Sequence, residues 1–221
     1  KKFGLGKKVL DGFIEERAGV VPNTKWKKKF IGQNWSLGET LHSGIGQGYF
    51  QSTPLQLCLM TAQIANGGYK IYPQILADEN DKEQPLDKFT PLYENSKNIR
   101  IVQDAMYAST NEVRGTSYRS RIDDPKYQFA GKTGTAQVKK ITEKDRELDL
   151  KTSEIPYEER DHALYVAYGP YKSPRYALSI IVEHGGNGST TAAPMAKKLF
   201  KLIIDRHTIR QTISNKKYLE I

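Results

Sequence analysis

The residues with the most chemical content form one short run, Gly131-Lys132-Thr133-Gly134-Thr135. A lysine between glycines carries an ammonium where the backbone stays open, because glycine has no side chain to hold a ligand away. In an extended strand, residues two apart share a side, so Thr133 and Thr135 present two hydroxyls together. A cation and two hydroxyls make a site for a carboxylate or a phosphate. The phosphate-binding loop Gly-x-x-x-x-Gly-Lys-Ser/Thr opens a helix. Here Lys126 stands where its first glycine belongs, and Ala136-Gln137-Val138 continues a strand. The run therefore reads as an anion site on a strand.

Other reactive side chains are better placed in packing. Cys58, the single cysteine, excludes an internal disulfide framework and lies in the apolar stretch Leu55–Met60. His42, His162, His184 and His207 lack metal-ligand spacing, so neither a metal nor a cofactor is expected. His184, beside Glu183 and before a Gly-rich turn, is expected to hold a strand end. Tyr118, Tyr127, Tyr165, Tyr168, Tyr171 and Tyr176 suit strand faces, and Trp26 and Trp35 suit packing.

The elements that must position Lys132 follow from periodicity and punctuation. The first forty residues, rich in Gly, Lys and turn signals, read as a surface excursion with short strands. Thr53 as N-cap, Pro54 at the first helical position and Asn66-Gly67-Gly68 as a stop bound a buried helix. Residues 69–95 read as loop with a short strand at Ile71 or Ile75-Leu76. A helix over 97–113 ends at Gly115. Strands are expected around 127–138, 162–170 and 175–184, the last two as an antiparallel hairpin, and residues 139–160 as an exposed, mobile loop. Thr190–Ile204 reads as an amphipathic helix with Met195, Leu199, Leu202 and Ile203 on its apolar face and Lys197, Lys198 and Lys201 opposite. The fold class is α+β, an antiparallel sheet with flanking helices. Residues 1–210 read as one domain portion and 211–221 as a tail.

The chain of 221 residues is 38% hydrophobic with a net charge of +9. The cations are dispersed and accompany no nucleic-acid module, so a generally basic surface is preferred to nucleic-acid binding. No run approaches the ~18–20 apolar residues of a membrane-spanning helix. The start Lys1-Lys2-Phe3 lacks a methionine and an apolar signal region, and reads as the start of an excised piece.

Lys132-Thr133-Gly134 takes on meaning from the order of the segments before it. Phe3-Gly4-Leu5-Gly6 and Ala18-Gly19-Val20-Val21-Pro22 come first, then Trp35-Ser36-Leu37-Gly38-Glu39-Thr40 and Ser43-Gly44-Ile45-Gly46-Gln47-Gly48-Tyr49. Thr53-Pro54-Leu55-Gln56-Leu57, Ile64-Ala65-Asn66-Gly67-Gly68 with Pro73, and Ala130–Gln137 follow. In this order, over most of residues 3–204, the chain resembles class B penicillin-binding proteins, the elongation-type penicillin-binding protein 2 above all. The resemblance implies a penicillin-binding/serine β-lactamase-like transpeptidase fold, here incomplete, and serine acyl transfer on stem peptides ending in D-Ala-D-Ala, with β-lactams as inhibitors. It implies that Lys132, Thr133 and Thr135 bind the substrate carboxylate and that Gly134 leaves room for a strand-like substrate. The Thr135 N–H would then be an oxyanion donor. It further implies a parent anchored in the bacterial cytoplasmic membrane, acting on the periplasmic side with a membrane glycan polymerase.

The nucleophile motif Ser-x-x-Lys should precede these segments. Ser214-Asn215-Lys216-Lys217 fits it formally but comes after them all, so the chain is expected to hold no nucleophile and to be inactive alone. Ser96-Lys97-Asn98 and Ser109-Thr110-Asn111 fit the companion Ser-x-Asn motif formally, and read instead as an N-cap and an exposed helix face. A non-catalytic peptidoglycan- or partner-binding remnant is the alternative. Either way, an incomplete domain exposes apolar surface, and self-association is expected.

Overall fold

The computed structural model describes residues 1–10, 13–75, 90–139 and 150–219, with backbone only at 207 and 210–219. Two compact units divide the chain, Lys1–Ile99 and Arg100–Ile221.

In the first unit, short strands were expected over the first forty residues, but two short helices form. Helix α1 spans Thr24–Phe30 and α2 spans Leu37–Gly44, while among the described residues of these first forty the extended pairing is a bridge between Val20 and Gln51. Caps explain the difference. The Asn23 side chain accepts from the Trp26 N–H, and Ser36 and Glu39 cap α2 reciprocally. Turn-forming residues marked helix starts here, not hairpins. Lys27 is buried on α1 and pairs with Glu39 of α2, and this hydrogen bond holds the Glu39 carboxyl below its ordinary value of 4.5. Trp26 packs against Phe30 and Tyr49.

Helix α3, Pro54–Ala65, starts and stops where its punctuation predicts, with Thr53 and Gln56 forming a capping box. Its buried face is largely polar: Gln56, Thr61 and Gln63 lie beside Leu59. Gln56 Nε2 donates to Lys7 O at 2.7 Å and to Ala18 O at 2.8 Å, and Gln63 Nε2 donates to Phe3 O at 3.0 Å. The helix thus satisfies the carbonyls of an irregular N-terminal segment that has few partners of its own. Cys58 and its apolar neighbours Leu55, Leu57, Met60 and Ile64 are only half-buried, and burial pushes the Cys58 thiol up, away from reactivity. Neither Ile71 nor Ile75 lies in a strand. The pairing falls instead between Tyr69 and Pro91, and Leu76 lies outside the described residues.

In the second unit a sheet of three strands has the order β1-β2-β3, antiparallel throughout: β1 Ala130–Ala136, β2 His162–Gly169 and β3 Tyr176–Val182. The expected β2–β3 hairpin is present. The first strand begins later than expected because the Tyr127 N–H closes a turn onto Asp124 O. Helix α4, Ser96–Asn111, crosses the boundary between the units. Of the stretch expected as a loop, residues 140–149 lie outside the described residues, and 150–160 contain 3₁₀ turns at Thr152–Glu154 and Tyr157–Glu159.

Helix α5, Ala192–Leu219, runs well past Ile204 and through the segment set apart as a tail. Its buried face also differs from the expected one. Ala192, Ala193, Ala196, Phe200 and Ile204 form a core with Phe129, Ala163, Tyr165 and Ala167. Met195, Leu199 and Leu202 remain 44%, 40% and 67% exposed. Small alanines let the helix approach the sheet closely enough for the Phe200 ring to stack on Phe129 at 4.9 Å. Hydropathy ranks leucine above alanine, whereas close approach favours the alanines. No helix among the described residues is long and apolar enough to cross a membrane.

Phe200→Ala should destabilise the second unit by about 3–5 kcal/mol in urea denaturation, because its ring is fully buried. The Glu39–Lys27 pair carries a pH signature. A depressed carboxyl adds stability that is fully present above its ordinary value and is lost as pH falls through the lowered one. The stability advantage of the wild type over Lys27→Met should therefore shrink as the pH is lowered below 4.5, followed by the fluorescence of Trp26 and Trp35.

Candidate carboxylate site on the first strand

Strand β1 is an outer strand of the described sheet, paired with β2 so that Lys132 opposes Val166 and Thr133 opposes Tyr165. Strand alternation puts Lys132 and Thr133 on opposite faces. The lysine stem bridges that gap by curling over the backbone. Its Nζ donates to Thr133 O at 3.0 Å and to Thr133 Oγ1 at 3.1 Å. An exposed ammonium and the Thr133 hydroxyl therefore meet, as the sequence reading required, by side-chain reach rather than by a shared face. Thr135, also exposed, lies two residues farther along.

Beneath this surface lies a buried network of hydroxyls. The Tyr165 hydroxyl lies 2.9 Å from Thr110 Oγ1 and 3.0 Å from Ser117 Oγ, and Thr110 Oγ1 lies 3.4 Å from Gly131 O. Burial pushes the Tyr165 phenol up, while its hydrogen bonds with Ser117 and Thr110 act the other way. It stays protonated and can donate. Gly131 is required by this arrangement, since a Cβ there would stand 2.5 Å from the Tyr165 hydroxyl. Asn111 Nδ2 donates to Phe129 O at 2.9 Å and so ties the end of α4 to the residue before the strand. On the other side of the site, the Gly-rich turn comes close: a Cβ on Gly188 would lie 2.8 Å from Gly134 O.

A third set of hydroxyls joins the two layers. Thr133 Oγ1 lies 3.3 Å from Thr116 Oγ1, which lies 3.2 Å from Ser109 Oγ. Ser109 and Thr116 line a mainly apolar groove of about 540 Å³ together with Met106, Ala108, Gly115 and Lys132.

Of the residues singled out in the sequence, Lys132 and Thr133 are brought together while Gly134 and Thr135 follow on the same strand. The hydroxyls of Thr110, Thr116, Ser117 and Tyr165 around them had no signal in the sequence. The Ser109-Thr110-Asn111 triplet, expected as an exposed helix face, is turned inward instead. Ser109 reaches Thr116, Thr110 is fully buried, and Asn111 braces the strand. Ser96 begins α4, and the first-turn hydrogen bond comes from Asn95, whose side chain accepts from the Lys97 N–H. The Ser214 side chain lies outside the described residues. His184 holds a strand end as expected: its N–H donates to His162 Nδ1 at 2.9 Å, and its ring packs on Tyr157. Among the described residues no cluster of His, Cys, Asp or Glu has the makings of a metal site.

Residues 1–201 match the family described as the penicillin binding protein transpeptidase domain. The peptidoglycan D,D-transpeptidase MrdA of Salmonella typhimurium is 32% identical over 216 residues, covering 92% of this chain and 33% of that protein. The MrdA of Acinetobacter baumannii is 34% identical over 205 residues, covering 90% of this chain and 29% of that protein. Among solved structures, the Helicobacter pylori PBP2 in complex with MreC matches with a TM-score of 0.76 at 32% identity, covering 92% of this chain and 34% of that one. Pseudomonas aeruginosa PBP2 in complex with WCK 5153 matches with a TM-score of 0.71 at 36% identity, covering 91% and 41%. The chain belongs to the penicillin-binding protein transpeptidase family. It spans about a third of the length of the curated relatives it matches.

Gly131→Ala should cost about 1–3 kcal/mol in chemical denaturation, because the new methyl group and the Tyr165 hydroxyl cannot share one position.

Proposed function

We propose that this chain is the substrate-carboxylate side of a peptidoglycan D,D-transpeptidase of the PBP2 type. The observation that carries this reading is the Lys132 ammonium held against the Thr133 hydroxyl on an outer strand, in a chain of this family. Lys132, Thr133 and Thr135 hold the terminal carboxylate of a D-Ala-D-Ala stem peptide. Gly134 lets the peptide lie along the strand as an added strand. The Thr135 N–H stabilises the oxyanion, a role worth about 3–4 kcal/mol in the transition state.

The chemistry is two acyl transfers. A serine hydroxyl bonds to the penultimate D-alanine carbonyl, the C–N bond breaks, and the serine proton passes to the departing D-alanine amine. A second peptide's amine then takes the acyl group, and the serine regains its proton. That serine comes from residues outside this chain, because the one formal Ser-x-x-Lys, at Ser214, stands after the Lys132-Thr133-Gly134 run instead of before it. β-Lactams react by the same first step, with ring opening in place of release.

The complete protein is assigned to the outer face of the cytoplasmic membrane, anchored there beside a glycan polymerase. A scaffold of the MreC kind, which the Helicobacter pylori relative binds, is a partner in keeping with this assignment. The order of the motifs also favours a second reading, a non-catalytic binding remnant.

Fluorescent penicillin distinguishes the two. The complete gene product should be labelled at a serine upstream of Lys1, and this chain alone should remain unlabelled. Lys132→Ala in the complete protein should slow acylation by about 10²-fold. Labelling of this chain by itself would refute the division of the site, and no labelling of the complete protein would support the remnant.

A further inference from the structure

Lys132 Nζ has protons to give and no lone pair to receive, so Thr133 Oγ1 acts as its acceptor. One proton remains on Thr133. In this structure its neighbour is Thr116 Oγ1 at 3.3 Å, and Thr116 in turn neighbours Ser109 Oγ at 3.2 Å. Both distances exceed the ~2.7–2.8 Å usual between hydroxyls. These are loosely committed bonds, and either atom of each pair can be the donor.

The backbone around Thr116, by contrast, is clamped. The Gly115 N–H donates to Glu112 O at 2.8 Å, and a Cβ on Gly115 would stand 2.3 Å from Ser109 O. On the other side, Ser117 donates to Ser109 O from both its N–H and its hydroxyl at 3.0 Å, and its hydroxyl meets Tyr165. The backbone that carries Thr116 is held in place, and its hydroxyl proton can turn without moving that backbone.

A carboxylate arriving at Lys132 attracts the Thr133 proton. If Thr116 could only accept, the Thr133 oxygen would lose its neighbour and face a second oxygen lone pair. Because Thr116 carries a proton of its own, it can turn to donate. Ser109 can donate to Thr116 in the same way. The row Ser109–Thr116–Thr133 then points all its protons toward the ligand charge, and each bond polarises the next. No heavy atom has to move.

We propose that Thr116 is a positioning residue for the substrate carboxylate, a reversible hydroxyl donor, backed by Ser109, that lets Thr133 commit its proton to the ligand. This inference rests on the carboxylate site proposed above and adds residues outside the Lys-Thr-Gly run. It also accounts for the placement of two exposed or half-buried hydroxyls in a row on a groove whose other lining includes Glu112, Arg114 and Lys132 among apolar side chains.

The test uses the complete gene product and stopped-flow acylation by benzylpenicillin and by its methyl ester, which lacks the free carboxylate. Thr116→Val keeps the shape and removes the hydroxyl. It should slow acylation by benzylpenicillin about five- to tenfold, the effect of one lost hydrogen bond, and leave the slower reaction of the ester unchanged. Thr116→Ser should restore the wild-type rate with benzylpenicillin. A purely structural role would lower both rates together, along with the melting temperature. Equal losses on the two compounds, or no loss on either, would overturn the inference while the proposed function stands. An unsubstituted complete protein that no penicillin acylates would remove the proposed function and this inference with it.

Discussion

The buried hydroxyl of Tyr165 is the constraint around which the second unit is organised. A phenol taken out of water loses its solvent hydrogen bonds and must find protein partners in their place. Here Thr110 on α4 and Ser117 in the following turn supply them. The same tyrosine sits opposite Thr133 in the ladder and occupies the space that any side chain at position 131 would need. One polar group therefore ties together the helix, the turn and the strand that carries Lys132. On the same face of β2, Ala163 and Ala167 receive the alanine face of α5, so the ring of Tyr165 is packed while its hydroxyl is bonded.

The first unit solves a different problem with similar means. Its N-terminal stretch has little regular pairing, and its carbonyls need donors. Gln56 and Gln63 reach from α3 to Lys7, Ala18 and Phe3 and meet that need internally. Lys27 and Glu39 join two short helices that have little propensity to stand alone at such lengths. Close backbone approach also acts here: Gly19, at a positive φ, lies where a Cβ would meet Gln51 O at 2.4 Å. In both units hydrogen bonds from buried polar side chains contribute to the fastening.

Under the proposed function, the substrate side of the site stands on an outer strand apart from the nucleophile, because the two tasks differ physically. Holding a carboxylate takes a cation and hydroxyls in fixed positions, which one braced strand provides. Attack on a carbonyl takes a nucleophile and a base within hydrogen-bond reach of each other. The half-buried apolar side chains of α3, and the exposed Met195, Leu199 and Leu202 of α5, fit a chain that spans about a third of its relatives' length.

From the sequence alone, the Lys132–Thr135 run, the bounds of α3, the β2–β3 hairpin and the family were legible, because each depends on residues close together or on ordered motifs. Thr53-Pro54 and Asn66-Gly67-Gly68 punctuate a helix through local backbone chemistry, and no distant contact is needed to read them. The roles of Thr110, Thr116, Ser117 and Tyr165 were not legible, since their hydroxyls meet only when segments up to 55 residues apart are folded together. The face of α5 was misread for a related reason: hydropathy cannot show that a sheet demands small residues at its closest approach. Residue type announced an anion site around Lys132. Tertiary structure decided that its ammonium curls back to Thr133 and that a row of hydroxyls stands behind it, because side-chain reach and buried hydrogen bonds are settled in three dimensions.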